Sequence, residues 1–215
     1  MASVLIFLLG LGAQACQVLI IRELFAFSRG NELSVAVPMA VWMVGIAVGS
    51  ALGGLILRRR RKAGIAARYL CTAWILPFAL PLILLFARYA RPLCGLDPGE
   101  VGSITALFAV SVPVAGLTAG LFGYLFPVAV GLHVARRREH AAGWVYGLEA
   151  IGAATAGILL SVSLVAVVGP FGLALAVAGL HLSAAGHALI AVPQGRGRRP
   201  ALAGARGFAV LVGGV

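Results

Sequence analysis

The chain has 215 residues, of which 61% are hydrophobic and 11% charged, with a formal net charge of +11. A water-soluble domain of this length has no use for so much apolar surface, and a mean hydropathy of +1.05 points instead to a polytopic membrane protein. The cations sit in short blocks between apolar runs and are not interleaved with aromatics along a groove, which argues against a nucleic-acid partner and for positive-inside topology.

Residues 1–21 form the first apolar run. Ala13-Gln14-Ala15 has the small-x-small outline of a cleavage site and Ala15-Cys16 that of a lipid-attachment site, but no Lys or Arg precedes the run, so a retained span is expected. Gly10-Leu11-Gly12-Ala13-Gln14-Ala15 imitates a dinucleotide fingerprint; no strand precedes it and it lies inside an apolar run, so it is set aside. Gln14 and Gln17, three apart, share a helix face and are candidates either for a ligand contact or for hydrogen bonding to a neighbouring helix. The stretch 22–32 reads as a polar turn in which Arg22, Glu23, Arg29, Asn31 and Glu32 make an outer cluster, a solvated rim of small energetic weight.

Residues 33–57 contain no charge and end abruptly at Arg58, Arg59, Arg60, Arg61 and Lys62. As a helix this run is roughly 37 Å long, enough to cross a hydrocarbon core of about 30 Å. Five consecutive cations resist translocation and fix that end in the cytoplasm. Gly45, Gly49 and Gly53 recur every fourth residue and form a ridge without side chains, which suggests that this helix is central to the bundle.

Further spans are expected at 69–87, at 104–134 with a tilt or kink from Pro113 and Pro127, at 141–168 closed by Gly169-Pro170, and at 171–192. Residues 88–103, rich in Pro and Gly, read as a loop. Arg196, Arg198, Arg199 and Arg206 then precede residues 207–215, half a span, so the chain is expected to continue past them. With the Arg58 block inside, the cytoplasmic loops hold 13 of the 17 Lys and Arg residues. The expected architecture is therefore one all-α membrane domain over residues 1–215, six spans and a partial seventh, with a cytoplasmic amino terminus.

Glu149 is the only acid deep in a span, about 12 Å from the cytoplasmic end of its helix. A carboxylate there is expected to face the bundle interior, pair with another group or stay protonated, either as a proton or cation site or as a buried hydrogen-bonding group. Tyr146 joins it as a candidate, and Gly152, Ala153, Ala156 and Gly157 offer a close-packing face. Cys16, Cys71 and Cys94 show no metal-ligand spacing; His181 and His187, six apart, are expected to make separate hydrogen bonds; Trp144, near a helix end, fits an interfacial anchor. No metal site, cofactor or catalytic pair is indicated.

Gln17-Val18-Leu19-Ile20-Ile21-Arg22-Glu23-Leu24, Gly30-Asn31-Glu32-Leu33-Ser34 and the ridge from Gly45 to Gly54 together resemble the membrane domain of bacterial spermidine-synthase-like proteins, often fused to a major-facilitator-like region. In the same order, Gly123-Tyr124-Leu125-Phe126-Pro127 resembles that family's fourth-span Gly-x-x-x-Pro element. The stretch from Val145 to Gly157 with Gly169-Pro170-Phe171-Gly172 resembles its Tyr-x-x-Glu/Asn-x-x-Gly helix and following turn. The resemblance implies a multi-pass protein of the bacterial inner membrane, an anchor or small-molecule-binding partner of an aminopropyltransferase-like catalytic domain, with a polyamine as substrate class. The Rossmann-like sheet of that catalytic domain has no counterpart here, so no catalytic residue carries over. Six spans also resemble half of a major-facilitator transporter, which implies an alternative: a half-transporter that pairs with a second copy to move a small solute or cation through Glu149.

Overall fold

A computed structural model describes residues 2–28, 30, 32–59, 65–97, 100–134, 140–160 and 165–190. Among them every regular element is helical: α1 (Ala2–Phe27), α2 (Leu33–Arg59), α3 (Ile65–Leu93), α4 (Ile104–Ser111), a π-helical turn (Val112–Gly116), α5 (Leu117–Val134), α6 (Ala141–Leu159) and α7 (Val165–Ile190). Five apolar stretches are long enough to cross a membrane: Ser3–Phe27, Leu33–Arg58, Trp74–Leu93, the rod Ile104–Gly131 and Ala141–Leu159. The chain is therefore a membrane protein built as an α-helical bundle. The apolar part of α7, Val168–Ala184, is shorter.

Several ends lie elsewhere than the charge pattern suggests. Helix α1 continues through Arg22 and Glu23 to Phe27, so these two residues lie on a helix rather than in a turn. Successive helical residues point about 100° apart, and Arg22, Glu23 and Glu32 make no ion pair with one another. Asn31 and Arg29 lie outside the described residues, as do residues 60–64, the cations at 136–138 and everything after residue 190.

Helix α3 runs on past Arg88 to Leu93, because Leu84, Ala87 and Ala90 keep one buried stripe going while Arg and Ala favour helix. Gly95, at φ 68°, then turns the chain. The rod 104–134 starts on a Ser103 cap, whose hydroxyl accepts from Ala106 N at 3.1 Å, and breaks at Pro113 into the π turn; Pro127 interrupts nothing. Helix α6 stops at Leu159, not at residue 168, and the Gly169-Pro170 bend falls inside α7, where Gly169 takes φ 75° and ψ 162° ahead of a residue with no N–H to donate.

The central helix is α1, not α2. It packs against α6, α7, α3 and α2, and 50% of its apolar stretch is buried, against 22% for α2. Helix α2 buries a narrow stripe on α5, while Met43, Val44, Val48 and Leu52 face outward toward lipid. A glycine ridge brings one neighbour very close and leaves the opposite flank open.

At the end of α3, half-buried Arg91 closes the fold. Its guanidinium donates to Phe27 O at 2.6 Å, Asp97 O at 3.0 Å and Glu100 O at 2.8 Å, tying the end of α1 to the following loop. Arg91→Met should lower stability by about 1–2 kcal/mol, roughly 2–8 °C in thermal midpoint in detergent, and make the loop a preferred proteolysis site. Asp97→Asn should do neither, since the bond goes to the main-chain carbonyl of Asp97; equal losses in both variants would refute this account.

Candidate functional site

The candidate site forms where α6 crosses α1. A Cβ on Gly10 would overlap the Glu149 carbonyl, and one on Gly152 would overlap the Phe7 carbonyl and stand 2.9 Å from Leu11 N. The two backbones therefore touch through reciprocal glycines, which brings the middle of α6 directly onto α1. Glu149 is the ninth of nineteen residues in α6 and is half-buried. Its main chain serves the crossing; its carboxylate makes no hydrogen bond or ion pair among the described residues.

Among the described residues, Tyr69 of α3 is the group whose electrostatics register Glu149. The phenol is 4% exposed, donates to Leu5 O at 3.2 Å, and lies within electrostatic reach of the Glu149 carboxylate. The phenol and the Leu5 carbonyl are joined by a hydrogen bond, and the half-buried Glu149 carboxylate completes a loose group as a charge within longer range of the phenol. Such a group can hold or pass a proton, or accept one cation; it contains no nucleophile–base pair, and no cluster of three metal-ligating side chains occurs among the described residues.

Tyr146 does not take part. It is 66% exposed and carries its ring to the outside of α6. Gln17 donates through Nε2 to Met39 Sδ at 3.1 Å, linking α1 to α2, while half-buried Gln14 makes no hydrogen bond among the described residues. Gly157, read with Gly152 as one packing face, meets nothing within 4 Å of a Cβ position: five residues on, it points about 140° round the helix from Gly152, whereas Ala156, nearer Gly152's side, is buried. Trp144 is 50% exposed, one turn into α6.

On the other side of the bundle the Gly45, Gly49 and Gly53 ridge lies against α5 and the π turn. A Cβ on Gly45 would stand 2.6 Å from Gly116 O, one on Gly49 would overlap Gly120 O, and one on Gly53 would stand 2.6 Å from Pro127 Cγ. Gly123 reciprocates against Ile46 O, and Ser50 Oγ donates to Gly123 O at 3.0 Å. Of the basic block after this ridge, Arg58 is exposed at the end of α2.

Sequence reasoning missed Tyr69 and Gly10. Tyr69 is 80 residues from Glu149, and no spacing rule relates them. Gly10 had a signal, a small residue inside an apolar run, but it was absorbed in the imitation of a nucleotide-binding fingerprint. Comparison with protein-family models, curated proteins and solved structures finds no match to the chain.

Proposed function

We propose that the chain is a membrane module of the spermidine-synthase-like kind, anchoring and presenting a small-molecule-binding region to a catalytic domain carried elsewhere. The observation that carries this reading is where the family-like motif residues go. Gly45, Gly49, Gly53, Gly123 and Pro127 meet at one helix crossing, and Gly152 with the Glu149 main chain meets α1 at the other. Motifs spent on packing suit a scaffold better than an enzyme. The reading places the module in the bacterial inner membrane with a cytoplasmic amino terminus, α7 serving as the sixth crossing of a major-facilitator-half-like bundle; the distribution of Lys and Arg supports this topology. The test is binding of spermidine and putrescine, and of a soluble aminopropyltransferase, to the purified chain in lipid nanodiscs. Binding of either class supports the reading, and binding of neither overturns it.

One observation favours a second reading, a half-transporter completed by a second copy: the Glu149 carboxyl halfway along α6, which makes no hydrogen bond or ion pair among the described residues. Glu149→Gln keeps the main-chain contact with Gly10 and should melt as the parent does, while cation-coupled spermidine uptake into proteoliposomes falls at least tenfold. Undiminished uptake in that variant would remove Glu149 as the coupling group.

A further inference from the structure

His181 of α7 is buried against α1, and a Cβ on Gly12 would stand 2.7 Å from its Nε2. Gly12 is thus what admits the imidazole to the core. The ring is fixed through Nδ1, 2.9 Å from Val177 O, an acceptor one turn earlier on its own helix. An uncharged imidazole has one N–H, and this contact places it on Nδ1. Nε2 therefore presents a lone pair. It is fully buried and has no hydrogen-bond partner among the described residues. Leu8 O lies near the ring without hydrogen-bond geometry, and as an acceptor it offers nothing to a lone pair. Tyr69, across a small void that both residues line, commits its hydroxyl proton to Leu5 O.

A second void lies on the Gly12 side of the ring. Among the described residues its wall is Leu76, Leu80, Phe122, Val177 and Ala178, with Gly12, and two residues that carry side-chain heteroatoms: Cys16 and His181. Cys16 is a buried free thiol four residues after Gly12, so it shares Gly12's face, and helical side chains lean toward the preceding turn, here the one that meets the imidazole. We infer that Cys16 and His181 form a two-coordinate site for one soft monovalent metal ion, Cu(I) or Ag(I), inside the bundle.

Three arguments select that class. The donor atoms are a sulfur and an imidazole nitrogen, which favour soft ions, and among the described residues no side-chain oxygen lines the void to replace the hydration shell of sodium, magnesium or calcium. The void holds a guest of about one water's size. Charge decides valence: a thiolate with a monovalent ion is neutral, whereas a divalent ion would leave one positive charge in an apolar core. A bond from Nδ1–H to a main-chain carbonyl is also how metal-binding histidines are commonly oriented. Binding breaks the Cys16 S–H bond, forms S–metal and Nε2–metal bonds, and releases one proton with no change of oxidation state. Glu149 does not line this void, so the site is independent of either reading of that residue.

The test uses the full chain in detergent with Cys71 and Cys94 replaced by Ser, leaving Cys16 as the only thiol. Under anaerobic reduction this parent should withdraw one Cu(I) per chain from a bicinchoninate complex. Cys16→Ser should abolish that withdrawal, and His181→Gln should weaken it at least tenfold, with melting midpoints like the parent's. Should either variant fold poorly, Ag(I) protection of Cys16 against maleimide in the folded parent gives a readout that needs neither substitution. Full protection at one equivalent supports the site. Withdrawal that survives Cys16→Ser, no withdrawal and no protection in the parent, or equal protection by Zn(II) would overturn it.

Discussion

Gly49→Ala is expected to lower the thermal midpoint of the detergent-solubilised protein by roughly 6–12 °C, while Gly54→Ala, five residues along the same helix, leaves it unchanged or slightly raised. Both substitutions add one methyl group and both gain up to about 1 kcal/mol of helix propensity. They differ in what the methyl meets. At Gly49 it overlaps the Gly120 carbonyl, which is backbone and has no rotamer to move to; at Gly54 there is nothing within 4 Å. Relief at Gly49 requires α2 to lift from α5, and that separation also disturbs the Gly45 and Gly53 contacts and the Ser50 bond to Gly123 O. Overpacking of this kind costs about 1–3 kcal/mol or more, and the upper end applies because the ridge is contiguous. Equal midpoints for the two variants would mean that the crossing is looser than the structure shows.

The pair also illustrates what was legible in the sequence. The glycine ridge of α2 can be seen as a period of four, and the ends of the apolar run, residues 33–57, nearly match those of α2. Its partner could not be read off, because which helix receives a ridge is a long-range fact. Hydropathy also marks where the bilayer ends rather than where the helix ends. Arg22 and Glu23 in α1, and Arg88 and Arg91 in α3, are good helix formers whose long side chains reach polar surroundings from a continuing helix. Arg88 lies 5.4 Å from the centre of the Phe171 ring, linking α3 to α7, and nothing local to Arg88 announces that. Likewise, neither Gly nor Pro marks the end of α6 at Leu159. At the candidate site the sequence identified Glu149, because an acid amid apolar residues is conspicuous, and Gly152, because a small residue one turn away is suggestive. Tyr69 stayed hidden because an aromatic residue at the edge of an apolar run looks like ordinary core.

Gly152→Ala should have a comparably large effect with a different signature. Its added methyl overlaps the Phe7 carbonyl and crowds Leu11 N, again backbone on both counts. Helix α6 packs mainly against α1, with a smaller contact to α5, so little else holds it once that crossing opens. A shift of α6 carries Glu149 away from its seat against Gly10 of α1, so Gly152→Ala should lower the midpoint by roughly 4–12 °C and reduce any polyamine binding or uptake in the same protein. Gly157→Ala, with open space at its Cβ position, should change neither. Set beside Glu149→Gln, these variants separate scaffold from chemistry. If Gly152→Ala loses stability and ligand together while Glu149→Gln loses ligand alone, the crossing positions a carboxyl that acts on the solute. If Glu149→Gln retains both, the acid sits at mid-span because its main chain is needed at the Gly10 contact, and the α1–α6 crossing is a structural joint of a membrane anchor.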